Sequence, residues 1–243
     1  MNSPKELLGH IPGGKVLDVG TGSGGFVSFL LDGLQDYTEI IGIDTDEGES
    51  ACFTKAFQER KNVHYVVMDA ARMDFPDASF DTVGISYTLH HLPDVKPVLA
   101  EMMRVLRPGG YFIIREMYRD PDAQTETQMT HIHLHDWYSA VDRARGYIHN
   151  MTYTHQEIID IVTRLGLQDV TTHELSDRSS DPKEPEMIKD FETTIDHLIT
   201  HHIPDHPELQ QRGREMQLRV REIGFHNAAF LLIVGQKEQV PLS

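Results

Sequence analysis

The sequence predicts an α/β chain: a mostly parallel sheet, doubly wound, with helices on both faces. Three observations carry this. Short apolar runs alternate with helical patterns from Val16 to Ile114. The first run breaks into a glycine-rich turn, Gly20-Thr21-Gly22-Ser23-Gly24-Gly25. Two of the runs that follow end on an acid, Asp44 and Asp69. Strands separated by helices of this length pair in parallel, because each helix carries the chain back to the starting edge.

Val16–Val19 reads as the first strand and Gly24–Leu34 as the helix after it, with Phe26, Val27, Leu30 and Leu31 apolar. Glu39–Ile43 is a second strand, ending at Asp44, and Glu47–Glu59 a helix. Val63–Val67 and Thr82–Ser86 are further strands. Asp94 caps a helix that runs to Leu106, where Arg107-Pro108-Gly109-Gly110 stops it, and Tyr111–Ile114 is the fifth strand. Met117–Met151 is long, polar and weakly periodic. Thr154 and Glu157 have the spacing of a capping box, and Gly166 fits the end of the helix they open. Leu167–Glu174 and Ala228–Val234 bring the strands to seven. Between these two, Lys183–Ile203 and Pro207–Ile223 read as amphipathic helices.

A chain of 243 residues suits one α/β domain with insertions, or two small ones. The net charge of −16 opposes generic binding to nucleic acid or to an anionic membrane. No apolar run approaches the ~18 residues needed to span a bilayer. The first residues lack the apolar stretch of a secretory signal, so a cytoplasmic protein is the expectation. The single cysteine, Cys52, excludes an internal disulfide and multi-cysteine zinc sites. Its place beside Phe53, Ala56 and Phe57 predicts a buried core thiol.

Gly20, Gly22 and Gly25 satisfy the Gly-x-Gly-x-x-Gly spacing of a nucleotide-binding turn, and Asp44 stands where an acid takes ribose hydroxyls. Neither feature separates a nicotinamide dinucleotide from an adenosyl amino acid. Asp18 does. A carboxylate inside a buried strand end is costly without a partner, and an amino-acid cofactor brings an ammonium. Asp69, followed by Ala70, supplies an acceptor for an exocyclic adenine amine.

The segments VLDVGTGSG, GIDTD, MDAARMDFPDASFDTV, LHHLPD and RVLRPGGYFII, in that order, resemble the class I S-adenosylmethionine-dependent methyltransferases. The nearest flavour is the small-molecule group containing the ubiquinone and menaquinone C-methyltransferases. The resemblance covers about residues 14–115. It implies a Rossmann-like sheet of seven strands whose last two form an antiparallel hairpin. It implies that Gly20, Thr21, Gly22 and Gly24 let the backbone approach the cofactor, with Asp18 serving the methionyl amine. Asp44 and Thr45 would take the ribose, Asp69 and Ala70 the adenine, and Ser86 and Tyr87 the sulfonium end. The product would be S-adenosylhomocysteine and the acceptor a small molecule with an oxygen, nitrogen or acidic carbon nucleophile.

Few residues precede the first strand, so a cover for the site must come from elsewhere. The insertions at about 117–151 and 176–225 are expected to form helical caps on a single domain spanning residues 1–243, and to offer a homodimer contact. The chain has 15 histidines, and three alternate in Thr130-His131-Ile132-His133-Leu134-His135. On a strand all three share a face; on a helix only His131 and His135 do. His131, His133 and His135 are candidate bases or, alternatively, metal ligands, with His149 and His155 to complete a set. His90, in the pair after the fourth strand, is a further candidate to face substrate, and Tyr118 a candidate for the catalytic wall. Arg212, Arg214, Arg219 and Arg221 read as a solvated helix face or as an anchor for an acidic substrate. Two other functions fit parts of the pattern: a non-catalytic protein that binds the adenosyl cofactor, and an NAD-dependent oxidoreductase.

Overall fold

The structure is a computed structural model and describes residues 3–239. A short helix, α1 (Pro4–Leu8), leads into β1 (Lys15–Val19), α2 (Gly25–Gly33), β2 (Glu39–Asp44), α3 (Glu49–Ala56) and β3 (Val63–Val67). Next come β4 (Phe80–Ser86), α4 (Val95–Val105), β5 (Leu106–Met117), α5 (Glu126–Ala144) and α6 (His155–Thr163). The chain closes with β6 (Gln168–Leu175), α7 (Pro185–His201), α8 (Pro207–Glu222) and β7 (Phe230–Gln236). The seven strands lie in the order β3-β2-β1-β4-β5-β7-β6. β7 runs antiparallel to both neighbours, and the other pairings are parallel. The order reverses between β1 and β4, which opens a crevice at the carboxyl ends of the strands. The seven strands and the antiparallel last hairpin are as the sequence predicts.

Each sheet face is covered by its own apolar layer. Val98, Met102, Ile158 and Val162 of α4 and α6 pack on one side, with Leu17, Val83 and Ile114 from the strands. Leu7, Leu8, Phe26, Leu30 and Phe53 of α1, α2 and α3 pack on the other, with Val16, Ile40 and Ile113. Neighbouring strand residues divide between the two faces because side chains alternate along a strand.

Several boundaries differ from expectation. β5 begins at Leu106, directly after α4, and takes in Arg107-Pro108-Gly109-Gly110. Its pairing jumps from Phe80–Leu106 to Thr82–Tyr111, so the glycine segment is an irregularity within the strand rather than a loop before it. α3 is shorter at both ends, and Cys52 is exposed on it. Phe53 and Phe57 occupy the buried face instead.

The expected helical insertion at residues 117–151 is long and regular. It contains α5, a helix of 19 residues opened by a capping box between Thr125 and Gln128. Thr125-x-x-Gln128 is a helix-start signal that weak periodicity masks. The weak period has a structural cause: α5 faces two environments. Leu134, Trp137 and Val141 join Ile195, Ile199 and Ile203 from α7 and its end, and Val220 from α8, in a third apolar cluster separate from the sheet. Trp137 is fully buried there and donates its indole N–H to Leu209 O at 2.8 Å. Gly213 of α8 admits the indole, since a Cβ at that position would lie 2.6 Å from Trp137 Cζ2. Arg212 pairs with Asp136 at 2.9 Å and Arg219 with Glu126 at 3.1 Å, while Arg221 meets Glu192. These arginines tie α8 to α5 and α7. Among the described residues, no helix is long and apolar enough to cross a membrane.

Candidate active site

The glycine turn holds its shape through backbone conformation and close packing. Gly20 has φ +67°, and a Cβ there would sit 2.3 Å from Thr88 Cγ2. Gly24 has φ +94° and caps α2; a Cβ there would strike the Phe57 ring at 2.3 Å. Both positions therefore require glycine. Gly20 and Thr21 donate their N–H groups to Ile43 O at 2.9 and 3.0 Å, and Gly22 N–H donates to Asp44 Oδ2 at 2.9 Å. The turn is thus stapled to the end of β2.

Asp18 lies behind this turn and is fully buried. Thr21 Oγ1 donates to its Oδ2 at 2.7 Å, but Oδ1 has no partner. Burial pushes the carboxyl up to about 7; the Thr21 bond opposes this and the nearby Asp44 charge adds to it. An orphaned acceptor in a buried carboxylate is a place where a cation, or a water bound to one, is favourable.

A cleft of about 780 Å³ opens at the carboxyl ends of β1, β2, β3 and β4. Gly20, Asp44, Thr45, Asp69, Ala70, Ser86 and Tyr87 line it together. Asp18, Thr21, Gly22 and Gly24 do not line it; they shape the wall from behind. Asp44 takes the N–H groups of Gly22 and Asp46 on separate oxygens, and Asp69 Oδ1 takes that of Ala71 at 2.8 Å. A carboxylate offers about four lone-pair sites, so both acids keep acceptor capacity for a ligand. The sequence reading missed Tyr147 and Ile148, which line the same cleft from the end of the first insertion and are largely exposed. Their side chains follow no periodic pattern that would flag them.

A second cavity, of about 530 Å³, shares Tyr87 and His91 with the first. Tyr87 stands at the junction with φ +50°, a strained conformation for a bulky residue. Arg115 projects into the second cavity from β5. Its guanidinium lies 4.8 to 4.9 Å from the ring centres of Phe29, Tyr87 and Phe230, and its Nε has no hydrogen-bond partner. His90, His131 and His135 also line this space.

Because α5 is a helix, the alternating histidines part company: two residues turn about 200° around the axis. His131 and His135 face the second cavity, while His133 is exposed outside it. His131 Nδ1 accepts the Ala228 N–H at 2.9 Å. Burial pushes His131 down to about 4, and burial with the charges of His90 and His149 pushes His91 down to about 3. These rings are neutral at physiological pH and weak as bases. Tyr118 is buried in the core at the far end of β5, edge-on to His155 at 5.5 Å, and lines neither cavity. His155 pairs with Glu174 at 3.0 Å. The histidine set suggested by the sequence, His131, His133 and His135, is therefore not brought together. His135 instead approaches His90 and His149, and beneath His90 lies Glu116, fully buried.

A profile of the methyltransferase domain family matches residues 17–114, from β1 to within β5. That stretch therefore carries the methyltransferase-domain match, set within the seven-stranded sheet. Among curated relatives, the demethylmenaquinone methyltransferase of Beutenbergia cavernae is 35% identical over 121 residues, covering 50% of this chain and 48% of that one. The ubiquinone/menaquinone biosynthesis C-methyltransferase of Teredinibacter turnerae is 31% identical over 126 residues, 50% of each chain. The match spans about half the length of these curated relatives. Among solved structures, the [4+2]-cyclase SpnF aligns with a TM-score of 0.65 at 16% identity, over 98% of this chain and 79% of that one. A phosphoethanolamine N-methyltransferase of Haemonchus contortus, complexed with S-adenosylhomocysteine, aligns with a TM-score of 0.55 at 17% identity, over 94% and 50%. At such identities the likeness is one of fold, and a fold hosts many chemistries.

Proposed function

We propose that the protein transfers a methyl group from S-adenosylmethionine to a small molecule seated in the second cavity. The observation that carries this is the meeting of the two cavities at Tyr87 and His91. A protein that only held the cofactor would need the first cleft alone. In this reading Asp44 and Thr45 take the ribose hydroxyls, Asp69 and Ala70 the adenine, and Asp18 the ammonium, through the oxygen that has no partner. Ser86 and Tyr87 face the methyl-bearing end. The co-substrate supplies a methyl group already activated on a sulfonium. The chain's own contribution is alignment of the acceptor and exclusion of water. Arg115 favours an acceptor with an anionic or readily ionised oxygen, because its guanidinium is held among three rings and its Nε has no partner.

Isothermal titration tests the cofactor assignment. Binding of S-adenosylmethionine and S-adenosylhomocysteine, with NAD silent, is the expected result. Binding of NAD alone would overturn it.

Asp18 adds a pH signature. Its folded pKa is raised, so between the ordinary carboxylate range and about pH 7 the folded chain holds a proton that the unfolded chain has lost. Stability of the unliganded protein therefore falls as pH rises through that window. A bound ammonium favours the ionised form, so S-adenosylmethionine affinity should rise as pH increases through about 7. Titrations between pH 5.5 and 8.5 should show this slope in the native protein and a flat profile in Asp18→Asn. Equal slopes in the two proteins would remove Asp18 from the ammonium site.

A further inference from the structure

We propose that His90, His135 and His149, with His91 as a displaceable fourth ligand, form a binding site for a divalent transition-metal cation of the zinc class. The ligand atoms of these four histidines all lie within 4.8 Å of one another. His135 Nε2 stands 3.2 Å from His90 Nε2 and 3.1 Å from His149 Nε2. Zinc–imidazole bonds of about 2.0–2.1 Å place tetrahedral ligand atoms ~3.3 Å apart, so three nitrogens already stand near that spacing.

The hydrogen-bond arithmetic points the same way. His90 Nδ1 lies 3.1 Å from Glu116 Oε1, and His149 Nδ1 lies 2.7 Å from Asp142 Oδ2. Each carboxylate can only accept, so each of these rings carries its proton on Nδ1 and, when neutral, presents a bare Nε2. His135 Nε2 sits between the two bare nitrogens and can give a proton to only one of them. At least one lone pair stays unsatisfied inside the protein, and a cation at the shared point takes all three. Carboxylates that orient the far nitrogen of a metal-binding histidine are the usual supporting shell of such sites. Glu116 is held in turn by the N–H groups of Leu89 and Met117, at 3.1 and 3.2 Å. The ligands come from separate elements: the turn after β4, α5, and the segment following α5. Binding would therefore clamp the first insertion to the sheet.

The location gives the site a use. His90, His91 and His135 line the second cavity, so a bound cation would face the acceptor and take an acidic oxygen as its anion. That use rests on the methyl-transfer reading; metal binding itself does not.

The protein, free of any histidine tag, is stripped with chelator and titrated with Zn²⁺, then with Co²⁺ as a spectroscopic probe. One tight equivalent and the visible absorption of low-coordinate Co²⁺ are expected. Both should vanish in His135→Ala and His149→Ala. Both should persist in a His197→Ala/His202→Ala variant, which removes a solvent-facing histidine cluster on and after α7. Asp142→Asn sits on the half-buried rim and should weaken binding by about 10–100-fold, which keeps the test decisive if an alanine variant fails to fold. No binding by the native chain, or binding lost only in the His197/His202 variant, would overturn the proposal. S-adenosylmethionine titration of the stripped protein is read separately, so failure of the metal site and failure of the methyl-transfer reading are distinguishable.

Discussion

Gly20→Ala is expected to cut S-adenosylmethionine affinity by more than about 100-fold while leaving the sheet folded. Two effects add. The left-handed backbone costs an alanine roughly 1–2 kcal/mol. The new Cβ also meets Thr88 Cγ2, Oγ1 and Cβ at 2.3, 2.5 and 2.9 Å. Thr88 cannot simply retreat, because its hydroxyl donates to Ser86 O at 2.8 Å and to Gly20 O at 3.3 Å. Relief must therefore move Ser86 and Tyr87, the residues at the junction of the two cavities. Isothermal titration reads the affinity and thermal melting reads the fold. A Gly20→Ala/Thr88→Ala double variant loses two of the three contacting atoms and should recover part of the affinity. Native affinity in Gly20→Ala would show that the turn does not shape the cofactor cleft.

Trp137→Ala is the second large effect, and it should fall on α5, α7 and α8 rather than the sheet. Removing a fully buried indole costs about 3–5 kcal/mol where the surroundings cannot close up. Trp137 joins Leu134, Val141, Ile199 and Val220 in a cluster with its own apolar contacts. Amide hydrogen exchange should accelerate through α5, α7 and α8 while β1 to β5 stay protected. S-adenosylmethionine binding, proposed to draw mainly on strand ends, should survive with only a modest loss. Uniform acceleration across the sheet would mean that the three helices and the sheet unfold as one unit.

Such separable behaviour follows from how information is spread along the chain. The glycine turn, the acids at strand ends and the alternation of strand and helix are local signals. Each is set by backbone conformation or by side-chain period within a few residues, so they can be read in order. Asp18 was legible because a carboxylate in an apolar run demands an explanation. α5 was harder: one side packs on α7 and α8, the other presents histidines to a cavity, and neither gives a clean apolar stripe. The Thr125–Gln128 box was its one strong local signal. The extension of β5 through Pro108 and Gly109 was hidden because local rules mark those residues as a break, whereas pairing with β4 on either side and backbone hydrogen bonds of Gly109 and Gly110 with Lys237 carry the strand across them.

The sequence by itself determined the sheet, the order of its elements and the methyltransferase-domain match of residues 17–114, because these rest on short-range preferences repeated along the chain. Only the tertiary structure decided which histidines meet. His90 and His149 are far apart in the chain, and His135 reaches them because α5 lies over the turn after β4. Local spacing separates His135 from His133 only once α5 is known to be a helix, and it does not say that one turns into a shared pocket with two supporting carboxylates and the other into solvent. The second cavity is a product of the same packing, since its walls come from the first and last thirds of the chain as well as the middle. Contacts between residues distant in sequence carry no periodic signature, and the walls of the second cavity are made of such contacts.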